Sequence, residues 1–280
     1  LDAHQDGKPI PNMPAFAFLL GSVVLEQVGA GILGFTMTFA LTNVWSHGTW
    51  VTASHAHLAL FGTFGMLGLA AAYYAVPLMR GIERFDQRAG RLSFWLVFTG
   101  MLGLGFAFAI GGTIQVFVYR TLGLDWFGGD VAPAMQVTKI LVPIFGIVFA
   151  AGVCLLVFDL LTLGHRRPVV SNVPEPIAAS GEFATRTRWS NWMTGWEAGL
   201  WLLAMWVFGG IITLGLLSFN LETVRQGSAV FPYMMAGVGY PGLLLVTLFF
   251  VWRFLNSLEA RSQASLGLAV AASPAPAGAS

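Results

Sequence analysis

Six runs of apolar residues alternate along the chain with shorter polar breaks. They cover approximately 15–44, 51–79, 92–119, 140–163, 195–217 and 233–255. A helix crossing a bilayer needs about 20 such residues, so every run is long enough. Helices are the required form, because an open sheet edge in lipid leaves backbone N–H and C=O groups unpaired. The expected fold class is therefore all-α, a polytopic transmembrane helix bundle of about six spans.

The polar breaks orient the bundle. Arg80, Arg84, Arg88 and Arg91 separate the second and third runs, and His165, Arg166, Arg167, Arg186 and Arg188 separate the fourth and fifth. Arg253 lies at the end of the sixth run and Arg261 beyond it. The break at 43–50 is uncharged, and the one between the third and fourth runs sets Asp125 and Asp130 beside Arg120. The positive-inside rule places the arginine-rich breaks in the cytoplasm, so the chain start is expected there too and the second span begins at the outer face. The organisation expected is a cytoplasmic N-terminal segment at 1–13, a four-helix block at 14–163 and a cytoplasmic linker at 164–192. An additional transmembrane pair at 193–256 and a disordered tail at 257–280, rich in Ala, Pro, Gly and Ser at its end, complete it.

Composition narrows the function classes. Of 280 residues, 56% are hydrophobic and 10% charged, where soluble domains carry roughly a quarter charged. A net charge of +1 argues against a nucleic-acid partner, which calls for a basic footprint, and leaves the lipid bilayer as the surrounding medium. Cys154 is the single cysteine and sits in an apolar run, where it reads as a small buried hydrophobe. No secretory signal is visible: the chain opens Leu1-Asp2-Ala3-His4, and its first apolar run begins near Pro14.

Of five histidines, His55 and His57 lie inside a run, in Ser54-His55-Ala56-His57-Leu58. An imidazole in hydrocarbon is costly without a partner, which makes both functional candidates; the plainer alternative is a histidine bonded to a nearby backbone carbonyl. Residues two apart on an α-helix point about 200° from each other, so they cannot share one metal ion. Each must serve its own partner, and two planar cofactors flanking one helix satisfy that condition. Heme is the usual planar cofactor that takes a neutral imidazole as axial ligand. Ala59 and Gly62, on the His55 side, leave room for a macrocycle, while Phe61 and Phe64 on the His57 side suit a ring edge. Gly62, Gly65 and Gly68 read equally well as close helix contacts.

The stretch from His47-Gly48-Thr49 through Val51-Thr52-Ala53-Ser54-His55-Ala56-His57-Leu58-Ala59-Leu60-Phe61-Gly62 resembles the His-x-His helix of nitric oxide reductase catalytic subunits, within the heme-copper oxidase superfamily. The resemblance extends to Ala75-Val76-Pro77-Leu78-Met79-Arg80-Gly81, to Gly29-Ala30-Gly31-Ile32-Leu33-Gly34-Phe35 and to Gln115-Val116-Phe117. It implies that the six spans are the C-terminal part of a larger heme-copper-oxidase-like bundle. It also implies two b-type hemes, with His55 as axial ligand of the high-spin heme and His57 as an axial ligand of the low-spin heme. The activity implied is reduction of two NO to N2O and water in a bacterial cytoplasmic (inner) membrane, at a non-heme iron facing the high-spin heme. Such a site needs six histidines, so the non-heme iron ligands are expected from helices absent in this chain, either missing N-terminal helices or another membrane chain. The donor expected is a cytochrome c subunit or a quinol; the last two spans depart from the cytochrome c-dependent pattern, which would end near Leu163. An oxygen-reducing terminal oxidase segment is the alternative within the same superfamily, and a non-catalytic heme-binding membrane subunit is a third.

Glu26 is the acid nearest the middle of a span, and two readings stand for it. It serves a catalytic role as a proton relay near the active centre, or it is a protonated side chain bonding helices together. His47, in the uncharged outer break, reads as a heme-propionate partner or as a solvated loop histidine. Lys139, Glu197 and Arg253 lie where charges snorkel, and Trp189, Trp192 and Trp196 suit an interfacial belt.

Overall fold

A computed structural model describes residues 10, 12–82, 85–124, 131–163, 195–226 and 230–272. The expectations for the linker 164–192, for Arg84, Asp125, Asp130, His4 and His165, and for residues 273–280 lie outside the described residues.

Among the described residues all regular secondary structure is helical, with six helices long and apolar enough to cross a membrane: Met13–Thr38, Trp50–Met79, Arg88–Thr121, Gln136–Thr162, Gly199–Ser218 and Val230–Asn256. The protein is a multi-pass, all-α membrane bundle. Two boundaries differ from the sequence reading. The first helix stops at Thr38 rather than continuing to residue 44, because Phe39 adopts an extended conformation (φ −74°, ψ 129°) before a short helix, Ala40–Ser46, resumes. Threonine hydroxyls take over the carbonyls that the break leaves open. Thr38 donates to Phe35 O at 2.7 Å, Thr42 to Phe39 O at 2.9 Å and also to Thr36 O. At the other end, the final helix continues to Ala272, so 257–272 are helical rather than disordered. Leu258, Glu259, Ala260, Arg261 and the alanines that follow are good helix formers and carry the last helix on.

The third span is the axle of the bundle: 67% of its apolar stretch is buried inside the chain, against 11% for the fourth. Glycine makes that position tenable, since helices in lipid gain most from backbones that approach closely. A Cβ on Gly100 would lie 2.5 Å from the amide nitrogen of Phe149, and one on Gly152 would lie 2.7 Å from that of Val97. The third and fourth spans therefore meet backbone to backbone, and Ser93 Oγ donates to Gly152 O at 3.0 Å across the seam. Gly105 and Gly112 admit Leu58 and Val51 of the second span in the same way. The first span packs on the second through Gly29 and Gly62, with Ser22 Oγ donating to Thr63 O at 2.8 Å.

The last two spans dock onto this block. Thr213 meets Thr36 at 3.1 Å, Trp45 Nε1 donates to Asn220 Oδ1 at 2.9 Å, and Asn220 Nδ2 donates to Leu41 O at 2.8 Å. Interhelical hydrogen bonds in bilayers are worth about 0.6 kcal/mol each, so these contacts fix register more than stability. The ring of the fully buried Tyr240 lies 6.0 Å from that of Phe106, which ties the sixth span to the third.

Candidate cofactor site on the second span

The second span starts under tight control. Gly48, at φ +72°, turns the chain, and Thr49 caps the helix by accepting from Val51 N at 3.3 Å. Gln115 Oε1, reaching from the third span, accepts from Trp50 N at 2.6 Å. Two otherwise unpaired N–H groups of the first helical turn are thereby satisfied. The helix is α from Trp50 to Ala56 and becomes π-helical from His57 to Gly65. Opposite it, the first span is π-helical over Gln27–Gly34. π turns are rare and concentrate at functional sites. These two lie against each other, and a Cβ on Gly29 would stand 2.6 Å from Leu58 Cβ.

His55 points to the first span and His57 toward the third. His55 Nδ1 lies 2.8 Å from Gly29 O, inside the π-helical stretch, and Gly34 makes way for the ring: a Cβ there would sit 2.8 Å from His55 Cε1. His57 Nδ1 lies 2.7 Å from Ala53 O, and its ring centroid is 4.9 Å from that of Phe108. A carbonyl oxygen can only accept, so in each neutral imidazole Nδ1 carries the proton and Nε2 keeps its lone pair. That is the tautomer of an axial ligand whose second nitrogen is held by a backbone carbonyl. Hydrogen bonding to a carbonyl and metal ligation, posed as alternatives from the sequence, are therefore compatible: Nδ1 meets the carbonyl, and Nε2 is left to serve as a ligand. The donor set fits two hemes, one per imidazole, on opposite sides of the helix. Among the described residues, no three His, Cys, Asp or Glu side chains come together as a site for a bare metal ion.

The surroundings of the pair correct two expectations. Gly62 does not open space beside His55 but takes Leu25, whose Cβ would be 2.9 Å from an added methyl; Ala59 likewise backs onto Gly29. Phe61 packs edge-on against Phe149 of the fourth span at 5.0 Å, while Phe64 is exposed. The physical reason is the π-helical geometry from His57 onward, which shifts the faces that a 3.6-residue repeat assigns. Gly68 has nothing within 4 Å of an added Cβ and borders open space.

Glu26 closes the α-helical part of the first span, immediately before the π turns. Its side chain is exposed on this chain, with no hydrogen bond or ion pair to either histidine among the described residues. His47 is exposed as well, and its carbonyl, with Val44 O at 2.6 Å, accepts from the Arg120 guanidinium. Two polar residues escaped the sequence reading. Gln115 was visible only as part of a resembling stretch, and its hold on Trp50 depends on helix packing. Asp159 is fully buried near the end of the fourth span and accepts the Tyr73 hydroxyl at 3.0 Å. A lone acid inside the apolar run Val157-Phe158-Asp159-Leu160-Leu161 was the available signal.

Comparison with known proteins identifies the family. A family model described as cytochrome c and quinol oxidase polypeptide I matches residues 5–154, more than half of the chain. A nitric oxide reductase subunit of Stutzerimonas stutzeri is 35% identical over 114 residues, 39% of this chain and 24% of that protein. Cytochrome c oxidase subunit 1 of Corynebacterium diphtheriae is 36% identical over 55 residues, 20% of this chain and 10% of that protein. The chain thus spans about a quarter of the reductase subunit's length. The family match contains both histidines and the paired π-helical stretches that orient them, and the chain belongs to the cytochrome c and quinol oxidase polypeptide I family of the heme-copper oxidase superfamily, with a nitric oxide reductase among its relatives.

Proposed function

We propose that this chain is the heme-ligating C-terminal part of a membrane nitric oxide reductase, which converts two NO, two electrons and two protons to N2O and water. The observation that carries the reading is the pair of Nδ1-anchored imidazoles, each with Nε2 available, on opposite sides of one helix. His55 holds the high-spin heme and His57 the low-spin heme, both b-type. Bound there, the two hemes supply electron entry on the His57 side and a gas-binding iron on the His55 side.

The chain's own residues do the positioning. Gly29 O and Ala53 O fix the tautomers, Gly34 keeps the His55 ring in place, and Gln115 and Thr49 hold the start of the helix. The ligands of a non-heme iron, and the contact with a cytochrome c subunit or quinol, belong to the remainder of the complete protein or to a partner chain. The arginine-bearing ends face the bacterial cytoplasm by the positive-inside rule.

Reduction of oxygen is the second reading, supported by the family model and by the similarity to cytochrome c oxidase subunit 1. Both readings are tested on the complete, purified protein supplied with a chemical reductant. NO consumption with stoichiometric N2O, well above the rate of O2 consumption per heme, is the expected result. Rapid O2 reduction without N2O formation overturns the first reading in favour of the second.

A further inference from the structure

The family match ends at residue 154, before the fifth and sixth spans. The fifth span carries Gly209 and, one turn further on, Thr213, a small residue and a hydroxyl that suit close helix contact in lipid. Both face the first span. A Cβ on Gly209 would stand 3.1 Å from Ile32 Cγ2. Thr213 Oγ1 lies 3.1 Å from Thr36 Oγ1, which is itself 2.7 Å from Ile32 O. With its single proton on that carbonyl, the buried Thr36 hydroxyl accepts from Thr213. The two contacts of the fifth span therefore converge on Ile32.

Ile32 belongs to the π-helical stretch Gln27–Gly34, between the two residues that seat His55. Three positions before it, Gly29 O meets His55 Nδ1 at 2.8 Å; two positions after it, Gly34 leaves room for the ring. Packed interiors pass a displacement on to their neighbours, so what fixes Ile32 also fixes the Gly29 carbonyl.

The two histidines differ in what anchors them. His57 Nδ1 meets Ala53 O, one turn back on its own helix, and moves with that helix. His55 Nδ1 meets a carbonyl of another span, so the strength of its bond depends on how the first span is held against the second. A stronger bond from Nδ1–H to a carbonyl makes Nε2 a more basic ligand. A shift of the first span thus alters the ligand strength of His55 and spares that of His57.

We propose that the fifth span tunes the ligand strength of His55 from behind, with Gly209 and Thr213 as positioning residues that hold the Gly29 carbonyl against Nδ1. This role rests on the assignment of one heme to each histidine, and it gives the fifth span a selective hold on the high-spin side.

The test is an optical redox titration of the complete, purified protein, which reads the midpoint of each heme species separately. Thr213→Val keeps the branched shape of the side chain and removes its hydroxyl. Loosening Gly29 O from Nδ1 makes Nε2 less basic and favours ferrous iron. The midpoint of the species bound at His55 should therefore rise while that at His57 stays in place. Outright loss of such a partner changes metal affinity by about 10–100-fold, so a loosened one should raise the reduced-to-oxidised ratio at fixed potential by up to about tenfold. Gly209→Ala, which presses a methyl on Ile32, should move the same species in the same direction. Thr213→Ser should restore wild-type behaviour, and Gly210→Ala, with nothing within 4 Å of the added methyl, should match it. Equal shifts of both species, or an unmoved His55 species in both Thr213→Val and Gly209→Ala, would overturn the proposal. His55→Ala should abolish the species that moves; if both species survive it, the heme assignment itself falls and this role falls with it.

Discussion

Gln115 of the third span holds the backbone amide of Trp50 at 2.6 Å, and through it the first turn of the helix that carries both histidines. Gln115 is fully buried, and its Nε2 has no hydrogen-bond partner among the described residues. The contact links the most buried span to His55 and His57, the proposed cofactor ligands five and seven residues further on, so packing of the bundle axle is transmitted to the candidate site.

Gln115→Leu should therefore loosen the start of the second span. An orphaned buried amide costs about 1–3 kcal/mol. The expected outcome is a lower unfolding midpoint and reduced heme retention with both histidines intact. Thermal unfolding followed at the heme Soret band checks this, and an unchanged midpoint would show that the contact has no energetic weight.

Gly34→Ala places a methyl 2.8 Å from His55 Cε1, so the ring must shift or the first span must back away. Gly68→Ala, on the same apolar background but with nothing within 4 Å, is the control. The first variant should lose the species bound at His55 while keeping the one at His57; the second should resemble wild type. Absorption spectra of the two purified variants, in the complete protein, distinguish the outcomes.

The opposed histidines should separate in function. His57→Ala should remove the low-spin signal and slow electron entry, while His55→Ala should abolish NO binding at the high-spin iron. Electron paramagnetic resonance and NO titration report the two species. Loss of one and the same signal in both variants would contradict the opposed placement, and one b-type heme per complete protein by pyridine hemochrome analysis would contradict the pair itself.

Glu26 is exposed on this chain, in the middle of a span, with no partner among the described residues. Its side chain therefore faces what surrounds the six helices rather than the histidines. Glutamine preserves its shape and hydrogen bonding without its titration. Glu26→Gln should be nearly silent in NO turnover per heme, and Glu26→Leu should impair assembly with the neighbouring helices. A strong loss of turnover in Glu26→Gln at full heme content would instead assign the carboxylate to proton transfer.

Membrane architecture was legible in the sequence because the bilayer acts on each segment separately. A run such as 92–119 must be a helix whatever its neighbours are, and the observed third span, Arg88–Thr121, encloses it. The opposed histidines were legible for the same reason, since a two-residue spacing separates their directions before any packing occurs. What the side chains meet was not legible. Gly62 could have faced a macrocycle or a helix, and only the approach of the first span, with Leu25 against it, decided for the helix. Phe61 could have met a cofactor edge, but the π turns beginning at His57 brought it to Phe149. Asp159 became a buried partner of Tyr73 only when the second and fourth spans came together. Hydropathy is a property of a segment and its solvent; contacts, buried polar pairs and π turns arise between segments, and tertiary packing alone selects them.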